Sequence, residues 1–143
     1  MKTRLWSVVV LLFALSSARA VEPGLHRDVE YGEAAGVSLR LDASVPEGEG
    51  PFPIAILVHG GGWKRGDKGM MRGSDKLEHW QAAGYAVASI NYRLVPDHTV
   101  EQQGADVASA VAFLRDRAGT LGFDRSRIAL IGHSAGAHLV ALV

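Results

Sequence analysis

The chain has 143 residues, 48% of them apolar, with 15 basic and 15 acidic side chains and no net formal charge. That length holds one small domain or part of a larger one, and the even charge balance gives no electrostatic case for a nucleic-acid partner. There is no cysteine, hence no disulfide framework, and the six histidines form neither a His-x-x-x-His pair nor an H-E-x-x-H helix, so no metal and no cofactor is expected.

Residues 1–20 read as a secretory signal peptide. Lys2 and Arg4 give a basic start, Leu5 to Leu15 an apolar run, and Ala18-x-Ala20 a small-residue cleavage pattern. The run is too short to span a bilayer, which takes about 20 apolar residues. A secreted or periplasmic protein cleaved after Ala20, with no stable membrane anchor afterwards, is therefore expected, and residues 21–143 form the folded part.

Val21 to Arg27 read as a loose leader around Pro23 and Gly24. Asp28 to Glu33 and Val37 to Ala43 read as two strands joined at Gly36. Leu39 and Leu41 alternate with Arg40 and Asp42, which predicts one wet face, as in an antiparallel hairpin at a sheet edge. Val45 to Pro51 is a turn-rich connector. Ile54 to Val58 is apolar throughout, a strand covered on both faces, and it runs into a glycine loop from His59 to Lys68.

Ser74 to Ala83 reads as a helix with Ser74 as N-cap and Gly84 past its end. Tyr85 to Ile90 is the next strand, followed by Asn91-Tyr92-Arg93 and a loop containing Pro96. A long helix is predicted from Val100 to Arg117, with Val107, Ala110, Val111 and Leu114 at helical spacing. Asp124 to Arg127 reads as a turn, and Ile128 to Ile131 as a last buried strand. A hairpin followed by alternating strands and helices predicts an α/β fold whose sheet is mostly parallel, with helices on both faces.

The chemistry lies in Gly132-His133-Ser134-Ala135-Gly136, a G-x-S-x-G between strand and helix, the pattern of a nucleophile elbow. A tight bend there lifts the Ser134 hydroxyl clear of the backbone, and near-absent side chains two residues either side let strand and helix approach. By chance the pattern arises in roughly one chain in twenty of this length. His59-Gly60-Gly61-Gly62-Trp63 also follows a strand, and the pair together is expected by chance on the order of one time in several hundred. Ser134 is the candidate nucleophile, and the N–H of Ala135 a candidate oxyanion donor.

These two motifs, with Gly66-Asp67-Lys68 and Asn91-Tyr92-Arg93-Leu94 between them, resemble the α/β-hydrolase superfamily. The similarity is greatest to the esterase/lipase branch, which holds hormone-sensitive-lipase-like carboxylesterases and feruloyl-esterase-like or kynurenine-formamidase-like enzymes. The resemblance covers about residues 28 to 143, the N-terminal part of that fold. It implies that Gly61 and Gly62 supply further oxyanion donors, and that His59 supports the loop rather than acting as a base. His133 and His138 are ill placed as bases, one beside Ser134 and one four residues on. Trp63 is open between lining a substrate pocket and packing under the loop. Asn91, Tyr92, Arg93, Asp67 and Asp106 are expected to hold structure.

The resemblance implies the order serine, acid, histidine along the chain. Only Ala135 to Val143 follow Ser134, without an acid. The expectation is therefore the N-terminal fragment of a hydrolase, truncated after the elbow and inactive alone, with an exposed apolar edge strand. The full-length activity expected is hydrolysis of short-chain, acetyl or aryl esters through an acyl-enzyme. The substrate would be a small molecule or a polysaccharide-linked ester. A formamide or amide substrate, and a catalytically silent binding protein of the same fold, are the alternatives.

Overall fold

A computed structural model describes residues 21–71 and 75–143. The signal segment 1–20 and the expected N-cap Ser74 lie outside the described residues.

The chain opens with a long hairpin of β1 (Gly24–Ala34) and β2 (Val37–Val45), antiparallel, with Ala34 opposite Val37. Only Ala35 and Gly36 lie between them, both at positive φ (52° and 75°), the backbone twist that a two-residue hairpin turn requires. Contrary to the expected leader, Gly24 to His26 already pair with Val45 to Ala43. The Pro-Gly pair that reads as a breaker lies just at the strand's start, and β2 is long enough to extend the ladder over it. A register shift between His26 and Val29 absorbs Asp28, which sits at φ 54°.

β3 (Phe52–Val58), β4 (Ala86–Ile90) and β5 (Phe123–Gly132) complete a mixed sheet in the order β1-β2-β4-β3-β5. β3 is parallel to both β4 and β5, and β2 joins β4 antiparallel. The apolar run of β3 is explained by its place between two strands and two covered faces. Ile54, Ile56 and Val58 enter the main core, while Ala55 and Leu57, also buried, point the other way.

The core face is covered by α2 (Val100–Asp116), which contributes Val107, Ala110 and Leu114, and by Leu139 of α4 (Ala135–Val140). α2 begins with a capping box. The Thr99 hydroxyl accepts from the Gln102 N–H, and the Gln102 carboxamide accepts from the Thr99 N–H. The four-residue α3 (Ala118–Leu121) links α2 to β5. The opposite face carries a 3₁₀ turn (Lys68–Met71) and α1 (Asp75–Ala82), where Gln81 donates to the Ser44 hydroxyl at 2.6 Å.

Two expectations change here. Asp42 does not face water. It is 3% exposed and its carboxylate lies 2.9 Å from the Lys68 ammonium, because the 3₁₀ turn covers that face of β2. Residues 124–127 are a bulge within β5 rather than a turn before it. Phe123 pairs with Phe52, the next pair is Ile128 with Ile54, and the Asp124 carboxylate folds the extra residues by accepting from the Ser126 N–H and hydroxyl and from Arg127.

Candidate active site

β5 delivers Ser134 at its carboxyl end. The last sheet contact is the His133 N–H donating to the Val58 carbonyl at 3.2 Å, after which the chain reverses into α4. Ser134 sits at φ 53°, ψ −119°, a conformation costly for any residue with a side chain, on the order of 1–3 kcal/mol. The bend is held from both sides. A Cβ on Gly132 would fall 2.4 Å from the Ala137 nitrogen, and one on Gly136 would fall 2.2 Å from the Val58 carbonyl oxygen. Strand and helix therefore approach through the space those two residues leave empty. The Ser134 side chain is exposed and makes no hydrogen bond to its own helix.

The glycine loop comes to this bend from the end of β3. Gly60 is the residue in touch with the serine. A Cβ there would lie 3.1 Å from the Ser134 Cβ and 2.7 Å from the His133 carbonyl oxygen. Gly61 and Gly62 follow at φ 132° and 62°, and the loop folds back so that the Arg65 carbonyl fills the space a side chain on Gly61 would need. Among the described residues the backbone N–H groups of Gly61, Gly62 and Ala135 have no acceptor. Ala135 itself is buried.

His59 is buried beneath this loop, stacked on Tyr92 with ring centroids 4.3 Å apart. Its Nδ1 lies 2.9 Å from the Gly60 carbonyl oxygen. A carbonyl only accepts, so the ring carries its proton on Nδ1. Burial lowers its pKa, against smaller opposing effects of the Gly60 carbonyl and Asp67. Tyr92 donates to the His59 carbonyl at 2.7 Å, and burial pushes its phenol up to about 12. His59 thus faces the loop's backbone, not the serine. His133 is exposed beside Ser134, and His138 lies edge-on to Trp63 with centroids 5.7 Å apart. Among the described residues no histidine is hydrogen-bonded to the Ser134 hydroxyl.

Two polar networks brace the loop. At its far end the Asn91 carboxamide accepts from the Lys68 N–H at 2.6 Å and donates to Asp67 at 3.0 Å, and the Asp67 carboxylate accepts from the Gly69 N–H. The Lys68 ammonium is buried between Asp28 and Asp42. Desolvation alone would lower its pKa, but hydrogen bonds to the two carboxylates outweigh that and raise it, so it stays charged. Beyond β4, Arg93 meets Asp106 of α2 through two side-chain nitrogens, Nη2 at 2.7 Å and Nε at 2.9 Å, while its backbone N–H donates to the same carboxylate at 3.0 Å. Asn91, Arg93, Asp67 and Asp106 all have these structural partners, as the sequence suggests. Asp28, Asp42 and Lys68 escape sequence reading. The one available signal is a lysine directly after Gly-Asp, at the point where the loop must rejoin the sheet.

Comparison with known proteins bears on the family and the fold. The BD-FAE family model matches residues 41–143, well over half of the chain. Esterase LipC of Mycobacterium tuberculosis (strain H37Rv) is 39% identical over 92 residues, 64% of this chain and 23% of LipC. The probable isoprenylcysteine alpha-carbonyl methylesterase ICME of Oryza sativa subsp. japonica is 35% identical over 118 residues, 80% of this chain and 27% of that protein. Among solved structures, the thermophilic esterase Est2 of Thermogutta terrifontis superposes with a TM-score of 0.74 at 29% identity, over 83% of this chain and 43% of Est2. The chain spans about a quarter of the length of the curated relatives it matches. With the mixed sheet, the strand-bend-helix at Ser134 and the match from residue 41 to residue 143, the chain belongs to the BD-FAE family and carries part of an α/β-hydrolase fold of the kind found in esterases.

Proposed function

We propose that Ser134 is the nucleophile of a carboxylester hydrolase. The observation that carries this reading is the juxtaposition of an exposed hydroxyl on a strained bend with a loop whose Gly61 and Gly62 N–H groups have no acceptor among the described residues. The Ser134 oxygen attacks the ester carbonyl carbon and gives up its proton to a base. The carbonyl oxygen becomes an oxyanion, received by the N–H groups of Gly61, Gly62 and Ala135. Collapse of the intermediate expels the alcohol, which takes the proton, and water then hydrolyses the acyl-serine by the same route in reverse. Loss of one such donor typically costs about 3–4 kcal/mol of transition-state stabilisation.

The base and its orienting acid are assigned to the length of the relatives that this chain does not span, since among the described residues no histidine is hydrogen-bonded to the Ser134 hydroxyl. The substrates are small esters with a short acyl group or an aryl leaving group. The names of the relatives, an esterase and an isoprenylcysteine methylesterase, support ester hydrolysis in general, and the short-acyl and aryl preference rests on the resemblance of the two glycine motifs. Export is part of the same reading and rests on the leader pattern of residues 1–20. N-terminal sequencing of the exported protein should begin at Val21.

The test is turnover of p-nitrophenyl acetate by the purified protein in the full length of its relatives, base and acid included, against its Ser134→Ala variant. The reading expects Ser134-dependent hydrolysis and a fall to the uncatalysed background in the variant. Equal rates from both proteins contradict it.

A further inference from the structure

A side chain on α2, outside the groups named above, is bonded into the glycine loop. Gln103 lies in the first turn of α2 and is 0% exposed. Its Nε2 donates to the Trp63 carbonyl at 2.8 Å. That carbonyl also accepts from the Val95 N–H at 3.0 Å. Because a carbonyl can only accept, the bond fixes which way the carboxamide points, and Oε1 is left buried with no partner among the described residues. A glutamine satisfied at one end only is a poor core residue. Methionine or leucine would fill the volume without stranding an acceptor. What glutamine supplies here is the donor to Trp63.

Trp63 is where that donor matters. It follows Gly62 directly and is a bulky residue held at φ 63°, a conformation that persists only when its surroundings over-determine it. At the other end of the loop, the His59 ring grips the Gly60 carbonyl. Gly61 and Gly62 lie between the two grips. Gln103 is in turn fixed, since its own N–H bonds the Thr99 carbonyl at 3.0 Å in the capped first turn of α2.

We propose that Gln103 is a positioning residue of the glycine loop: by holding the Trp63 carbonyl it fixes the direction in which the Gly61 and Gly62 N–H groups point. It touches no substrate. The inference rests on the reading of Ser134 as nucleophile for its effect on catalysis, and on the loop geometry alone for its effect on the backbone.

Two variants test it. Gln103→Met keeps length and deletes the donor, and Gln103→Glu keeps the shape while setting a carboxylate against the carbonyl. Oxyanion donors act in the transition state, so in the same full-length protein, base and acid included, kcat on p-nitrophenyl acetate should fall about tenfold or more while KM stays within about twofold. Gln103→Met should melt within a few degrees of wild type, since it removes a stranded acceptor along with the bond. Hydrogen–deuterium exchange over residues 60–65 should quicken in both variants. A wild-type kcat in both variants, or a loss confined to melting temperature, overturns the positioning role. If the wild-type protein shows no Ser134-dependent turnover, the hydrolase reading fails by itself. Exchange then decides the clamp: unchanged exchange over 60–65 overturns it, and faster exchange supports it.

Discussion

Asp106→Asn is expected to be among the most destabilising single changes in the chain. The Asp106 side chain is 2% exposed and that of Arg93 7%, so water screens the pair little. The carboxylate receives Nη2 at 2.7 Å, Nε at 2.9 Å and the Arg93 backbone N–H at 3.0 Å. Asparagine keeps the shape and one acceptor oxygen but strands a buried guanidinium. Removing one partner of a buried pair costs about 3–5 kcal/mol, against a total stability of roughly 5–15 kcal/mol for a domain. The buried charge pair makes a second, less obvious demand. In Arg93→Met/Asp106→Asn no charge is stranded, and the asparagine oxygen can still accept the N–H of residue 93. The double variant should therefore be more stable than Asp106→Asn alone, by about 1–3 kcal/mol. Urea unfolding at constant m-value measures wild type, Asp106→Asn, Arg93→Met and the double variant. A cost below about 1 kcal/mol for Asp106→Asn, or a double variant as unstable as the sum of its singles, refutes the reasoning.

Gly136→Ala would press a Cβ to 2.2 Å from the Val58 carbonyl oxygen and 2.5 Å from that of His59, so it should destabilise by about 1–3 kcal/mol and lower Ser134 reactivity. Gly119→Ala, with nothing within 4 Å and inside α3, is the control and should change stability by less than about 1 kcal/mol. A melting curve for each distinguishes them, and equal shifts would contradict the steric account. Burial lowers the His59 pKa, so below its ordinary value of about 6.5 the unfolded chain binds a proton that the folded chain does not. Its contribution is full above about 6.5 and is lost as pH falls toward the depressed folded value. Unfolding measured from pH 7.5 to 5 should show a slope that flattens in His59→Asn, and an unchanged slope would assign the acid limb elsewhere.

The strand-helix alternation and both glycine motifs were legible because each is written locally. β3 announces double burial by its unbroken apolar run, and Gly132 and Gly136 announce a close approach by lacking side chains. What was not legible depends on what packs where. The alternation Leu39-Arg40-Leu41-Asp42 carries no sign that a 3₁₀ turn about 26 residues later, bearing Lys68, covers Asp42 but leaves Arg40 in water. The Asp124 bulge reads as a turn because a single strand cannot show that its partner supplies fewer residues. Within the loop, three consecutive glycines gave no hint that the first one touches Ser134. Gln103 lay hidden for a similar reason, since a glutamine early in a helix ordinarily faces solvent.

Reaction of the purified full-length protein, base and acid included, with a fluorophosphonate probe, followed by intact mass and peptide mapping, tests the central claim most directly. The account predicts one adduct, on the Ser134 hydroxyl in the peptide that begins at Ile128, and none in Ser134→Ala. A wild-type protein left unmodified under conditions that label a known serine esterase, or an adduct that persists in Ser134→Ala, would contradict it.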